Sequence, residues 1–271
     1  MYKKYLLNTL YFIIGIILLG VIYEVIVLMK NNSYFTPQFD KIFKFLGETL
    51  KDTKTWISTL NTIKNVIISV AISFIIAIVF STLAYRFNII DKILHPMIQL
   101  LRFIPIIILI NVIWFIFLMQ AKTYVLYLAV FSMVFPLVYE NIYEGLVSIE
   151  KKYIDAYKIY SNTTPYIVFK VYCPLVFSSI KSSIINSIGL GIKIALSCEF
   201  ILAEKNTLGY LIQSEVQNGY DFSGVYSYII VLIIVSIILE LIPLAVIYIY
   251  GKIRDARLKK RFNLYGTEWK D

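Results

Sequence analysis

The chain has one histidine and two cysteines, too few for a metal centre or a disulfide framework. His95 stands beside Pro96 with no carboxylate cluster or metal-ligand spacing around it. Cys173 and Cys198 share no motif and read as small apolar residues. Acidic residues are scarce, 17 against 26 Lys and Arg, and no glycine-rich phosphate-binding loop is present. These absences leave the chain without the constellations that carry enzymatic chemistry. Period-two alternation, the mark of a membrane barrel, is missing as well.

Apolar residues are what the chain has instead. They make up 59% of 271 residues, more than a soluble domain of this size can bury. They cluster in runs of about 20, the length a helix needs to cross a bilayer. Expected spans lie near 5–29, 60–85, 97–119, 124–145, 175–203 and 226–250. The fold class expected is all-α, a polytopic membrane protein of about six transmembrane helices. Isoleucine and valine do not argue for strands here, because an open sheet leaves backbone groups unpaired in lipid.

The net charge of +9 is topological rather than a nucleic-acid footprint. With both termini in the cytosol, the inner side holds Lys3, Lys4, Arg86, Lys92, Lys151, Lys152, Lys158, Lys170 and the basic tail 252–271. The last outer loop is acidic, with Glu204, Glu215 and Asp221. The apolar run after Lys4 continues to Met29 without a signal-peptidase-like site, so it is expected to stay as the first helix. Residues 30–58 form an outer segment in which Phe39, Ile42, Phe43 and Leu46 recur at helical spacing. It reads as an amphipathic surface helix, or as a docking surface for an outer partner. The tail carries a positive-inside signal with affinity for anionic membrane lipid.

Residues 146–173 form the longest inner polar segment. Two short helical patterns are split at Ser161-Asn162-Thr163-Thr164-Pro165, where a threonine can cap the second helix and Pro165 can open it. The expected unit is a helix–turn–helix lying flat under the membrane.

Asp155-Ala156-Tyr157, then Ser161, and after nine residues Val171-Tyr172-Cys173-Pro174, resemble the "EAA" loop of bacterial ABC-importer permeases. The spacing is kept. Asp155 stands for Glu, Tyr157 for the second Ala, Ser161 for Gly, Val171 for Ile and Cys173 for Leu. Asn141, Gly145, Ser148 and Ile149 resemble the lead-in of the nitrate, sulfonate and taurine group. Pro96 and Leu101-Arg102-Phe103-Ile104-Pro105, with Trp114-Phe115, resemble its third-helix signature. Glu199 with Leu208-Gly209-Tyr210-Leu211-Ile212 resembles its closing motif, Thr207 replacing a Gly. Ser69, Asn111 and Phe117 stand where the group has Gly or Pro, so the helix interiors are bulkier.

The resemblance implies one permease domain over 1–271, with its core at 60–250, in a bacterial cytoplasmic membrane. It implies a homodimer working with cytosolic ATPase subunits and an extracytoplasmic substrate-binding protein. ATP and Mg would be bound by the partner ATPase, and this chain would hold no cofactor. Asp155, Ala156, Tyr157, Ser161, Val171 and Pro174 would be the ATPase-coupling residues. The solute would be a small organic anion or a vitamin precursor. An ion-gradient transporter and a non-transporting scaffold are the alternatives, though neither inverted repeats nor midplane carboxylate clusters are visible.

Candidate pathway residues are Arg102, Pro105, Lys193, Ser197 and Glu199. Arg102 points either to headgroups or to the pathway. Lys193 lies mid-span among Gly189, Gly191 and Ser197, with Ser197 on the same face and Glu199 about 240° away. It either neutralises an anionic group of a solute or pairs with Glu240. Lys64 and Lys181 sit near helix ends and can snorkel.

Overall fold

The computed structural model describes residues 2–30, 35–117, 119–150, 153–156, 167–219 and 221–264. Every regular element among them is helical. In chain order these are α1 (Tyr2–Lys30), α2 (Phe39–Lys51), α3 (Thr53–Arg86), α4 (Asn88–Phe103), α5 (Ile106–Ile116) and α6 (Lys122–Val147). A π-helical turn (Val168–Tyr172) leads into α7 (Cys173–Leu202), followed by α8 (Leu208–Asn218) and α9 (Ser223–Leu264). Four of these helices, α3, α6, α7 and α9, are long and apolar enough to cross a bilayer. A fifth candidate is α4 with α5. The first expected span is helical over Tyr2–Lys30, with Ile17–Met29 as its apolar stretch. The chain is a multi-pass membrane protein.

Two sequence expectations need correction. The span near 97–119 is not one straight helix: α4 and α5 meet at 107°. Pro105 has no N–H to continue the helix, and Ile104 before it takes an extended conformation (φ −76°, ψ 121°). Helix α3 starts at Thr53, inside the 30–58 segment and ahead of the span expected from residue 60, because Asp52 accepts the Lys54 N–H at 3.0 Å and caps it. Within that segment α2 does form, packed on α9 through buried Ile42, whose carbonyl accepts from Ser227 Oγ at 3.0 Å.

The core is a three-helix packing of α3, α6 and α7. The buried face of α3 carries Thr55, Ser58, Thr59, Thr62, Asn65, Ser69, Ser73, Ala77 and Ser81. Its outward face carries Ile67, Ile68, Ile72, Ile75, Val79 and Phe80. Small and hydroxylated residues lie inside and large apolar ones outside, the order expected when lipid is the solvent and close backbone approach drives association. Two of the hydroxyls bond within the helix: Ser69 donates to Asn65 O and Ser73 to Ser69 O at 2.7 and 2.8 Å. α7 answers with Ser183, Ser187, Gly191 and Ala195 at four-residue spacing, all buried. A Cβ on Gly191 would meet Val70 Cγ2 at 2.7 Å.

Candidate functional site

α7 has a second, different face. Ser178, Ser182, Asn186, Gly189, Lys193 and Ser197 fall within an arc of about 100° along the helix. All are exposed or half-buried on the single chain. The Ser197 hydroxyl donates to Lys193 O at 2.9 Å. This polar face lies on a 30-residue helix and ends, at the helix's N-terminal end, in a cleft of about 400 Å³. Asn141, Glu144, Gly145 and Ser148 line one wall of the cleft and Ser178, Ser179 and Ser182 the other. Gly145 sets the width there, because a Cβ would meet Ser179 Oγ at 2.5 Å and Cβ at 3.0 Å. The sequence reading picked out Lys193 and Ser197 but missed Ser178, Ser182 and Asn186. Polar residues at seven- and four-residue spacing along one apolar helix were the available signal.

Lys193 has no ion pair among the described residues. Glu240 of α9 does not meet it. Its Oε1 lies where a Cβ on Gly189 would be, at 2.5 Å, one turn before Lys193.

Glu199 points the other way and is fully buried. Its Oε2 accepts from Thr62 Oγ1 at 2.8 Å and from Gly209 N at 3.2 Å. Thr62 Oγ1 in turn accepts the Leu208 N–H at 3.0 Å. One carboxylate and one hydroxyl therefore hold two backbone donors in the first turn of α8, where helical partners are lacking. The Thr207 hydroxyl accepts the Tyr210 N–H at 3.3 Å. Asn61 donates to Asn206 O at 2.9 Å, and Lys122 Nζ to Ala203 O at 3.1 Å, so the α7–α8 turn is also tied to α3 and α6.

Arg102 pairs with Glu140 of α6. The pair joins α4 to α6. Pro105 is exposed at the α4–α5 bend. Lys181 lies 4.7 Å from the centroid of the Phe177 ring, a cation–π contact.

The segment between α6 and α7 is anchored at both ends. Ile149 is buried and Ile154 packs against the core on the α6 side. On the α7 side Val171 is buried, and Tyr172 stacks edge-on against Tyr85 at 5.8 Å. Asp155 and Ala156 are exposed. Pro174 is also exposed, in the first turn of α7. The π-helical turn just before it loosens the hydrogen-bond ladder where a proline ring would clash with the carbonyl four residues back. Tyr157, Ser161 and the expected caps at 162–165 lie outside the described residues.

The sequence model described as "binding-protein-dependent transport system inner membrane component" matches residues 69–250, well over half of the chain. The chain belongs to that family. It is thus a membrane-spanning permease component of a transport system. The match runs from Ser69 in α3 to Tyr250 in α9 and so includes the polar face of α7, Glu199 with Gly209, and the segment between α6 and α7; Thr62 lies just before it. Comparison with curated protein sequences finds no match.

Proposed function

We propose that this permease component lines the substrate pathway of an ATP-driven importer with the polar face of α7. The observation that carries the reading is the row Ser178, Ser182, Asn186, Lys193 and Ser197, which share one exposed or half-buried face of a helix long enough to cross a bilayer. A lysine facing hydrocarbon costs about 2.5–3.5 kcal/mol on insertion scales, so such a face belongs against water or protein. The cleft continues the face to the inner side.

In this reading residues 155–174 couple the pathway to a cytosolic ATPase. Asp155, Ala156 and Pro174 are exposed, and half-buried Ile154 just before the segment and buried Val171 within it are its anchors. An anchored lever of this kind transmits a push to α6 and α7 as rigid bodies. Two copies of the chain enclose the pathway, with both termini in the cytosol of a bacterial inner membrane. An extracytoplasmic binding protein delivers a small solute, an organic anion or a vitamin precursor. ATP and Mg are held by the ATPase.

The test is substituted-cysteine labelling in membranes, in a background lacking Cys173 and Cys198. Hydrophilic thiol reagents should modify Ser182→Cys, Asn186→Cys and Ser197→Cys, and transported solute should slow the reaction. Ile234→Cys on the outer surface of α9 should stay inert. Inert probes at all three α7 positions would remove the pathway from this face. Coupling is tested separately in the complex isolated from its native membrane. There Ala156→Trp should abolish solute-stimulated ATP hydrolysis with protein level unchanged.

A further inference from the structure

α4 has three faces. Ile90, Leu94, Ile98 and Leu101 point inward, buried or half-buried. Lys92, His95, Gln99 and Arg102 form an exposed polar edge. Ile89, Ile93, Met97, Leu100 and Phe103 fill the remaining arc of about 120° and are each more than half exposed, Phe103 at 81%. The opposed polar edge and apolar arc are those of a helix seated at a membrane interface.

The orientation of α4 agrees. Asp91 accepts from the Tyr139 hydroxyl at 3.3 Å, and Arg102 pairs with Glu140. Asp91 and Arg102 are 11 residues apart, about 16 Å along a helix, yet both reach consecutive residues of α6. α4 therefore lies across α6 rather than along it. It crosses where α6 turns from apolar to Tyr139-Glu140-Asn141, a sequence that marks the bilayer boundary. The 107° bend at Pro105 lets α5 leave this plane.

Arg102 is paired with Glu140, which leaves Arg86 and Lys92 as the cations without an ion pair at this corner among the described residues. Arg86, Lys92 and Arg102 are exposed, whereas Asp91 is half-buried and occupied by Tyr139. We infer that α4 is an in-plane helix of the cytosolic leaflet, its apolar arc in the acyl chains and its Arg86–Lys92 edge bound to anionic lipid headgroups. The segment then serves as a lipid-binding anchor that holds the α4–α6 crossing, rather than as part of a span.

The full-length protein is reconstituted in nanodiscs, free of Cys173 and Cys198, with a bimane probe at Met97→Cys or Gln99→Cys. Lipids brominated on the acyl chains should quench the Met97 probe, and aqueous iodide should quench the Gln99 probe. Quenching at Met97 should be a few-fold stronger from brominated phosphatidylglycerol than from brominated phosphatidylcholine, as expected for two cations at a membrane surface. Arg86→Gln with Lys92→Gln should remove that preference and leave the depth unchanged. Equal quenching by both lipids in the unaltered background would overturn the headgroup assignment. A Met97 probe shielded from lipid that forms a disulfide with the same residue of a second copy would overturn the in-plane assignment, because protein would then cover the arc.

Discussion

Gly209 donates its N–H to the Glu199 carboxylate at 3.2 Å, and a Cβ on Gly209 would meet Glu199 Cβ at 2.5 Å. The same Cβ would come within 2.9 Å of two backbone atoms of α7, Leu196 O and Phe200 N. Backbone cannot step aside as a flexible side chain does, so glycine is required for α8 to dock. Gly209→Ala should cost about 1–3 kcal/mol, the range for overpacking a tight contact. Thermal unfolding in detergent reads the loss, and Gly47→Ala, with open space around it, is the control.

The apolar runs placed α6, α7 and the start of α9 within a few residues, because bilayer thickness sets the length of an apolar run, whereas α9 continues past its run to Leu264. The helical separation of Lys193 and Glu199 put them on different faces, but both stood as pathway candidates, and no local pattern showed that Glu199 is the buried one. The rest depended on contacts far apart in sequence. Thr62 binds Glu199 across 137 positions, and no local pattern pairs Arg102 with Glu140. Pro105 marked a break but not its 107° angle, which α4's crossing of α6 accompanies. The start of α3 was hidden because the residues after its Asp52 cap are polar, Thr53-Lys54-Thr55, although Thr55 is buried.

Gly145 and Ser179 set the approach of α6 to α7 beside the cleft. Gly145→Ala should destabilise by about 1–3 kcal/mol. Ser179→Gly removes both atoms that the new methyl would strike, so the double variant should recover most of the loss. A double-mutant cycle on unfolding temperature measures the coupling, and strictly additive losses would show that the contact is not what limits the crossing.

Burial, then the nearby Asp221, pushes the Glu215 carboxyl above its ordinary value. The folded state therefore holds this proton more tightly than the unfolded one. Stability from this group is present at low pH and is lost as pH rises from the ordinary carboxyl range through the raised folded value. Glu215→Gln should flatten that stretch of the stability profile. It should also leave the protein at least as stable at neutral pH, read by hydrogen exchange over α8.

The proposed topology, argued from the Lys and Arg distribution, would put Asn218 outside and Lys259 inside. In intact cells an impermeant thiol reagent should label Asn218→Cys and leave Lys259→Cys untouched until the membrane is opened. The reverse pattern would move residues 155–174 to the outer side and end their assignment as the ATPase contact.

Lys193 and Glu240 give the sharpest test of the pathway, because two compensations for a mid-span lysine predict opposite results. If Lys193 faces a wet pathway, Lys193→Met should keep normal abundance and lose transport by an order of magnitude or more, the range for one desolvated charge contact. Glu240→Gln should not rescue it. If instead the two residues pair within the bilayer, each single change should lower abundance, and the double change should restore both abundance and transport. The geometry favours the first outcome: Glu240 lies over Gly189, one turn short of Lys193, and Lys193 stands on the exposed face with Asn186 and Ser197. Rescue by the double variant would take Lys193 out of the pathway and leave Ser178, Ser182, Asn186 and Ser197 as its polar lining.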